Sequence, residues 1–206
     1  MTNIKDQGSC GGCYSFTAMD TIESAYLIKD KRQYKDAIDL SEQQLVDCSG
    51  NFGNKGCNGG WMSLVYDYVI KYGVTDEKTY PYTARDQRCR GNGGKYTISS
   101  YKGGALPNCA ALSAMVTIKP VTVAVAAGNS YWQGYSGGIM NVCGNARGVD
   151  HGVTLVGVYE DEEKGYWKIK NSWGTRWGEN GYIRLSKDVN RGNICNNCLY
   201  GFYPEL

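Results

Sequence analysis

Four residue types in this chain are able to support acyl transfer to a thiol, and they lie in three short segments, the first far from the other two in sequence. The first reads Gln7-Gly8-Ser9-Cys10-Gly11-Gly12-Cys13-Tyr14. A glycine-rich turn followed by a helical pattern puts Cys13 in the first turn of a helix. There, unpaired N–H groups and the positive end of the dipole favour an anion, so the thiol ionises more readily than a free one. The second segment carries Val149-Asp150-His151-Gly152-Val153, and Asn171-Ser172-Trp173-Gly174 follows it. Gln7, Cys13, His151 and Asn171 supply an oxyanion donor, a thiolate, a general base and an orienting amide, one of each role that such a reaction needs. His151 is the only histidine, so any neutral-pH imidazole chemistry falls to it and a site built on two His ligands is excluded.

The elements that must hold these residues are legible from periodicity and caps. Residues 13–29 place Tyr14, Ala18, Ile22 and Ala25 or Tyr26 at helical spacing, which predicts a helix with one apolar face. Ser41 with Gln44 three residues on reads as a capping box opening a short helix toward Cys48. Trp61, Leu64, Val65, Tyr68 and Tyr72 mark a third helix that Gly73 stops. Residues 85–104 carry five glycines and read as the crossing between halves. Beyond them a helix opens near Asn108 and ends before Pro120, among strand candidates at 121–127, 149–159, 166–170 and 182–185. A helical half at 1–104 followed by a β-rich half at 105–206 is an α+β architecture, and a cleft between two such lobes is the expected place for a site.

Composition narrows the function classes. The 206 residues hold 22 Lys and Arg against 20 Asp and Glu, for a net charge of +2, so neither a nucleic acid nor a membrane surface is an expected partner. No apolar run approaches the roughly 20 residues that span a bilayer. Nine cysteines exceed what a reducing compartment usually holds, and the odd count leaves one thiol outside any full set of pairs. Residues 1–10 have Lys5 and Asp6 where a leader's apolar core would lie, so a secreted or vesicular protein is expected to have had its leader removed from this chain.

Taken in order, QGSCGGC (7–13), SEQQLVDC (41–48), GCNGG (56–60), YPY (80–82), GVDHGV (148–153), NSWGTRWGENGY (171–182) and FYP (202–204) resemble the papain family of cysteine proteases, of the cathepsin L-like type, over essentially the whole chain. The family's local signature is Cys-Gly-Ser/Ala-Cys-Trp/Tyr with His and Asn roughly 130 to 150 residues downstream. Here His151 follows Cys13 by 151 − 13 = 138 residues and Asn171 by 171 − 13 = 158, while Gly12 departs from the signature. The resemblance implies a papain-like two-lobe fold with its active-site cleft between the lobes. It makes Cys13 the nucleophile, His151 its partner and Asn171 the group that orients the imidazole. Gln7 and the Cys13 N–H form the oxyanion hole, and Trp173 covers the His–Asn hydrogen bond.

The resemblance also implies that the Gly60 backbone pairs with an extended peptide. Trp61, Met62, Ala124, Val149, Gly152 and Tyr200 line the pocket for the second residue on the acyl side, and Asp150 and Trp173 join the substrate contacts. That apolar lining, with no carboxylate, implies a preference for a mid-sized hydrophobic residue and poor use of Arg. The family pattern pairs Cys10 with Cys57, Cys48 with Cys89, and Cys143 with Cys195. Cys109 and Cys198 lie outside it, and are expected to bond each other. Family members carry a crossing segment and an inhibitory propeptide ahead of the position matching Met1, which are expected to be missing here. No insertion matches the one that blocks the cleft in the family's exopeptidases, so an endopeptidase is expected.

The resemblance thus implies a monomeric peptidase acting on protein or peptide substrates, open to propeptide and cystatin-like inhibitors, without metal or other cofactor, resident in a lysosome or vacuole or secreted. The competing reading takes Cys10-x-x-Cys13 and Cys195-x-x-Cys198 as zinc half-sites or thiol redox pairs.

Overall fold

The computed structural model describes residues 1–31, 33, 37–144, 147–160 and 164–206. Two compact units divide the chain. One holds 1–3, 7–102 and 203–206; the other holds 4–6 and 103–202.

The first unit is built on α1 (Cys13–Lys29), α2 (Glu42–Cys48) and α3 (Met62–Tyr72), with α1 packed against both others. The expected single apolar face of α1 is not what the structure has. Besides Tyr14, Ala18 and Ile22, the helix buries Ser15, Thr17, Asp20, Thr21, Glu23 and Ser24, so it is wrapped on all sides. Hydrogen bonds to neighbouring segments make this burial tolerable. Ser15 Oγ donates to Glu42 O at 3.0 Å, Thr21 Oγ1 and Tyr66 Oη lie 2.6 Å apart, and Glu23 Oε1 accepts the Leu40 N–H at 2.8 Å.

Ser41 caps α2, its hydroxyl accepting the Gln44 N–H at 3.0 Å. The reciprocal half of the box is absent: the Ser41 N–H donates to Thr75 O, and the Gln44 side chain reaches Tyr68 Oη, Gly93 O and the Thr75 N–H. Gly73 ends α3 at φ +73, where a Cβ would lie only 2.3 Å from Gly94 O. Disulfides Cys10–Cys57 and Cys48–Cys89 staple this unit.

Residues 85–102, read from sequence as a crossing, belong to this unit. Gln43 Nε2 holds Arg85 O, Asp47 Oδ1 holds the Gln87 N–H, Cys89 is bonded to Cys48, and Tyr96 bridges Val74. Most of these anchors come from α2, which periodicity does not reveal.

The second unit carries most of a seven-stranded sheet. Its strands are β1 (Ser100–Ala105), β2 (Val121–Val125), β3 (Ile139–Met140), β4 (His151–Glu160), β5 (Gly165–Lys170), β6 (Tyr182–Ser186) and β7 (Tyr200–Glu205), in the order β1-β7-β2-β4-β5-β6-β3. Pairing is antiparallel from β7 through β2, β4 and β5 to β6, and β3 runs parallel to β6. Val121, Val123, Val125, Leu155, Trp167, Ile169, Ile183 and Leu185 are buried in its core.

Two helices flank these strands: α4 (Cys109–Val116), capped by Asn108 Oδ1 on the Ala111 N–H, and α5 (Ser130–Gln133), capped by Asn129. Strand β2 stops at Val125, short of the expected 127, because the next N–H groups leave the ladder for Cys195 O and Asp150 Oδ1. Disulfides Cys109–Cys198 and Cys143–Cys195 close within this unit. Among the described residues no helix is long and apolar enough to cross a membrane.

Candidate active site

In the first unit, Cys13 opens α1 behind Gly12, which offers no side-chain cap. The positive end of a 17-residue helix dipole lies there, and the first turn contains no acidic residue to oppose a thiolate. Cys13 is half-buried and takes part in none of the four disulfides. The loop ahead of it is held by close packing: Gly11 donates its N–H to Cys57 O at 2.9 Å, and a Cβ at Gly11 would lie 2.4 Å from that oxygen. Buried Gln7 turns its Nε2 to Cys10 O at 3.0 Å. Tyr14, next to Cys13, donates its hydroxyl to Gly56 O at 3.0 Å. Burial, and after it the charge of a Cys13 thiolate, push the Tyr14 hydroxyl above its ordinary range, so it stays a protonated donor.

Gly60, Trp61 and Met62 adjoin this helix. Asn54 Oδ1 accepts the Trp61 N–H at 2.8 Å, and a Cβ at Gly60 would come within 2.4 Å of that same oxygen and 2.9 Å of the Tyr14 ring. Only glycine lets the backbone run this close to Asn54 and Tyr14. Met62 is buried at the start of α3 and Trp61 is half-buried.

In the second unit, His151 begins β4, paired with Val125, and is 7% exposed. Its Nε2 lies 2.7 Å from Asn171 Oδ1. The Ser172 N–H also donates to Asn171 Oδ1, at 2.9 Å. A backbone N–H can only donate, so this contact fixes which side-chain atom of Asn171 is the oxygen and makes His151 Nε2 the protonated nitrogen. Nδ1 is then the imidazole nitrogen available to accept a proton. Asn171 Nδ2 is buried without a hydrogen-bond partner, which leaves the amide held through its oxygen alone.

Aromatic rings enclose the pair. Trp173 lies 4.9 Å from the imidazole, Trp132 stands edge-on to it at 6.4 Å, and Trp177 stacks on Trp132 at 5.8 Å. Water is kept from the His–Asn bond on these sides, which strengthens it.

Asp150 accepts the Ala127 N–H at 2.7 Å and the Gly128 N–H at 2.9 Å, so its carboxylate fixes the turn beyond β2. Ala127, Gly128, Gln133, Asp150, His151 and Trp173 line a cavity of about 270 Å³. Ala124 pairs with Gly152 across β2 and β4; Val149 and Tyr200 are half-buried. The structure therefore groups Gln7, Cys13, Gly60, Trp61 and Met62 in one unit and Ala124, Val149, Asp150, His151, Gly152, Asn171, Trp173 and Tyr200 in the other.

Three contributors escaped the sequence reading. Trp132 carried no periodic signal, because α5 is only four residues long, and Asn54 lies in the irregular stretch between two single-turn helices at Ser49–Phe52 and Gly56–Asn58. Tyr82 was visible inside YPY, but without a role. Neither C-x-x-C pair survives as a dithiol: Cys10, Cys195 and Cys198 are each bonded to a distant cysteine. Among the described residues no cluster of His, Cys, Asp and Glu suits a metal ion.

A thiol at a helix N-terminus and an amide-oriented imidazole, carried on an α+β chain, define a candidate thiol hydrolase. Residues 1–202 match the family described as papain family cysteine protease, and the chain belongs to that family. It is 42% identical over 205 residues to cathepsin L 1 of Paramecium tetraurelia, covering 98% of this chain and 60% of that protein. Among solved structures it is similar to the bromelain protease of Ananas comosus in complex with the E64 inhibitor, at 38% identity and a TM-score of 0.86, covering 99% of this chain and 93% of that one. It is also similar to digestive procathepsin L 3 of the Tenebrio molitor larval midgut, at 36% identity and the same TM-score, covering 99% of this chain and 66% of that one. The chain thus spans about 60% of the length of the curated relatives it matches first.

Proposed function

We propose that this chain is the catalytic part of a cysteine endopeptidase that hydrolyses peptide bonds through a thioester acyl-enzyme. The observation that carries the reading is the His151–Asn171 bond, because it leaves Nδ1 as the nitrogen that exchanges protons. Cys13 Sγ, as thiolate, attacks the carbonyl carbon, and the Gln7 amide and Cys13 N–H take the developing oxyanion. His151, protonated at Nδ1, gives that proton to the leaving amine as the C–N bond breaks. Nδ1 then accepts a proton from water, whose oxygen attacks the thioester; the acid leaves and the thiolate and imidazolium return. Asn171 holds the ring throughout.

Gly60 pairs with the substrate backbone, as a strand is added to an edge. The apolar character of Trp61, Met62, Ala124, Val149, Gly152 and Tyr200 supports preference for a hydrophobic second acyl-side residue. A peptide-library profile dominated by Arg at that position overturns the preference. Four disulfides support residence in a lysosome, a vacuole or the extracellular space. The kinship with a procathepsin and with an inhibitor-bound protease supports a propeptide and inhibitors as partners; cystatin-like inhibitors, protein and peptide substrates and a monomeric state complete the proposal.

Active-site titration with a thiol-directed epoxide tests the reading. One equivalent is expected to label Cys13 and abolish peptide hydrolysis; activity surviving in Cys13→Ala overturns it.

A further inference from the structure

We infer that Tyr82 is a positioning residue for the oxyanion donor, acting through the backbone of Gln7; the inference rests on the roles proposed above for Gln7 and Cys13. The Tyr82 hydroxyl donates to Gln7 O at 2.7 Å, across 75 residues of sequence. The same carbonyl accepts the Cys10 N–H at 3.4 Å, which is long. Gln7 is followed by Gly8 at φ +59, and Gly11 and Gly12 complete the path to Cys13. A backbone this rich in glycine has little stiffness of its own, so its geometry must be imposed from outside.

Tyr82 is itself well placed to impose it. Its ring stands edge-on to Phe16, with centroids 4.9 Å apart and planes at 88°, and its N–H donates to Glu77 Oε1 at 2.7 Å. Phe16 sits three residues after Cys13 in α1. One rigid side chain thus rests on the helix that carries the thiol and grips the peptide plane that carries the amide. Its hydroxyl also lies 3.7 Å from where a Cβ at Gly12 would be, beside the loop joining the two residues.

Oxyanion stabilisation depends steeply on where a donor stands, and a misplacement of about 1 Å costs on the order of 100-fold. A Gln7 that keeps its side chain but loses its carbonyl anchor is expected to lose part of that effect.

Tyr82→Phe removes the hydroxyl and keeps the ring. Rates are expressed per titrated Cys13, so misfolded protein does not enter them. Peptide hydrolysis is expected to show a kcat lower by about tenfold, less than the 100- to 1,000-fold cost of deleting a donor outright, with KM unchanged. Alkylation of Cys13 by iodoacetamide displaces iodide at a saturated carbon and forms no oxyanion, and its rate is expected to stay within about twofold. In a Gln7→Ala background, adding Tyr82→Phe is expected to change nothing further. An unchanged kcat, an alkylation rate that falls in step with kcat, or a full additive loss in Gln7→Ala overturns the inference. These failures leave the peptidase reading standing as long as the wild type hydrolyses peptides through Cys13; a wild type that does not removes both.

Discussion

Replacing Cys109 and Cys198 together by alanine is expected to destabilise the second unit by an amount that the other bridge controls. The two cysteines are 89 residues apart, but Cys143–Cys195 lies inside that ring and already closes 52 of those residues. The ring newly closed by Cys109–Cys198 therefore has about 89 − 52, or 37, residues. In the chain-entropy model this is worth about 3.8 kcal/mol at 25 °C, against about 4.6 kcal/mol for an uninterrupted ring of 89. For a chain of this size the smaller figure corresponds to a fall in Tm of roughly 8–15 °C.

The measurement is guanidinium unfolding followed by tryptophan fluorescence, with both proteins carrying Cys13→Ala so that self-digestion does not distort the curves. Trp132 and Trp167 are fully buried in the unit that loses the bridge, so its unfolding is reported directly. A loss below about 1 kcal/mol refutes the reasoning, as does peptide mapping that finds Cys109 and Cys198 as thiols in the native wild type.

Other expectations follow from single contacts. Asn171→Ala removes the acceptor shared by His151 Nε2 and the Ser172 N–H; at about 1–3 kcal/mol for a buried group left unpaired, kcat is expected to fall roughly 5- to 150-fold with little change in KM. An unchanged kcat in steady-state hydrolysis would remove Asn171 from the mechanism. Gly60→Ala forces a Cβ against Asn54 Oδ1 and the Tyr14 ring, and is expected to lower kcat/KM about tenfold while Cys13 alkylation continues.

Glu179 is held below the ordinary carboxylate range first by its hydrogen bonds from Arg184 and further by the Gly138 N–H. Its folded-state pKa is depressed, so its contribution is complete above its ordinary value of 4.5 and is lost as pH falls through the lower value. The pair is partly exposed, which limits the effect to about 1 kcal/mol or less. As pH falls below 4.5 the wild type's unfolding-midpoint advantage over Glu179→Gln is expected to shrink; a constant difference contradicts this.

How much of this was legible in the sequence depended on whether a feature is local. The helices at 13–29 and 62–72 and the Ser41 cap are set by nearest neighbours along the chain, and they stand where spacing put them. The motifs at Cys13, His151 and Asn171 were equally plain, because the proposed chemistry restricts the residue types.

What stayed hidden is non-local. Strands β1, β3 and β7 contain glycine, a proline or only two residues, and they exist because a neighbour offers its edge. The polar face of α1 reads as solvent-facing until Glu42, Tyr66 and Leu40 are seen to meet it. The same distinction separates the reacting residues from those that steady them. A nucleophile or a base announces itself by type, whereas Asn54, Tyr82 and Trp132 act through contacts with residues that do not adjoin them in sequence, from seven residues away for Asn54 to 75 for Tyr82, and only folding decides which asparagine, tyrosine or tryptophan makes them. Substitution of these three is therefore the sharper test of the structure, since nothing in their own neighbourhood of sequence requires them.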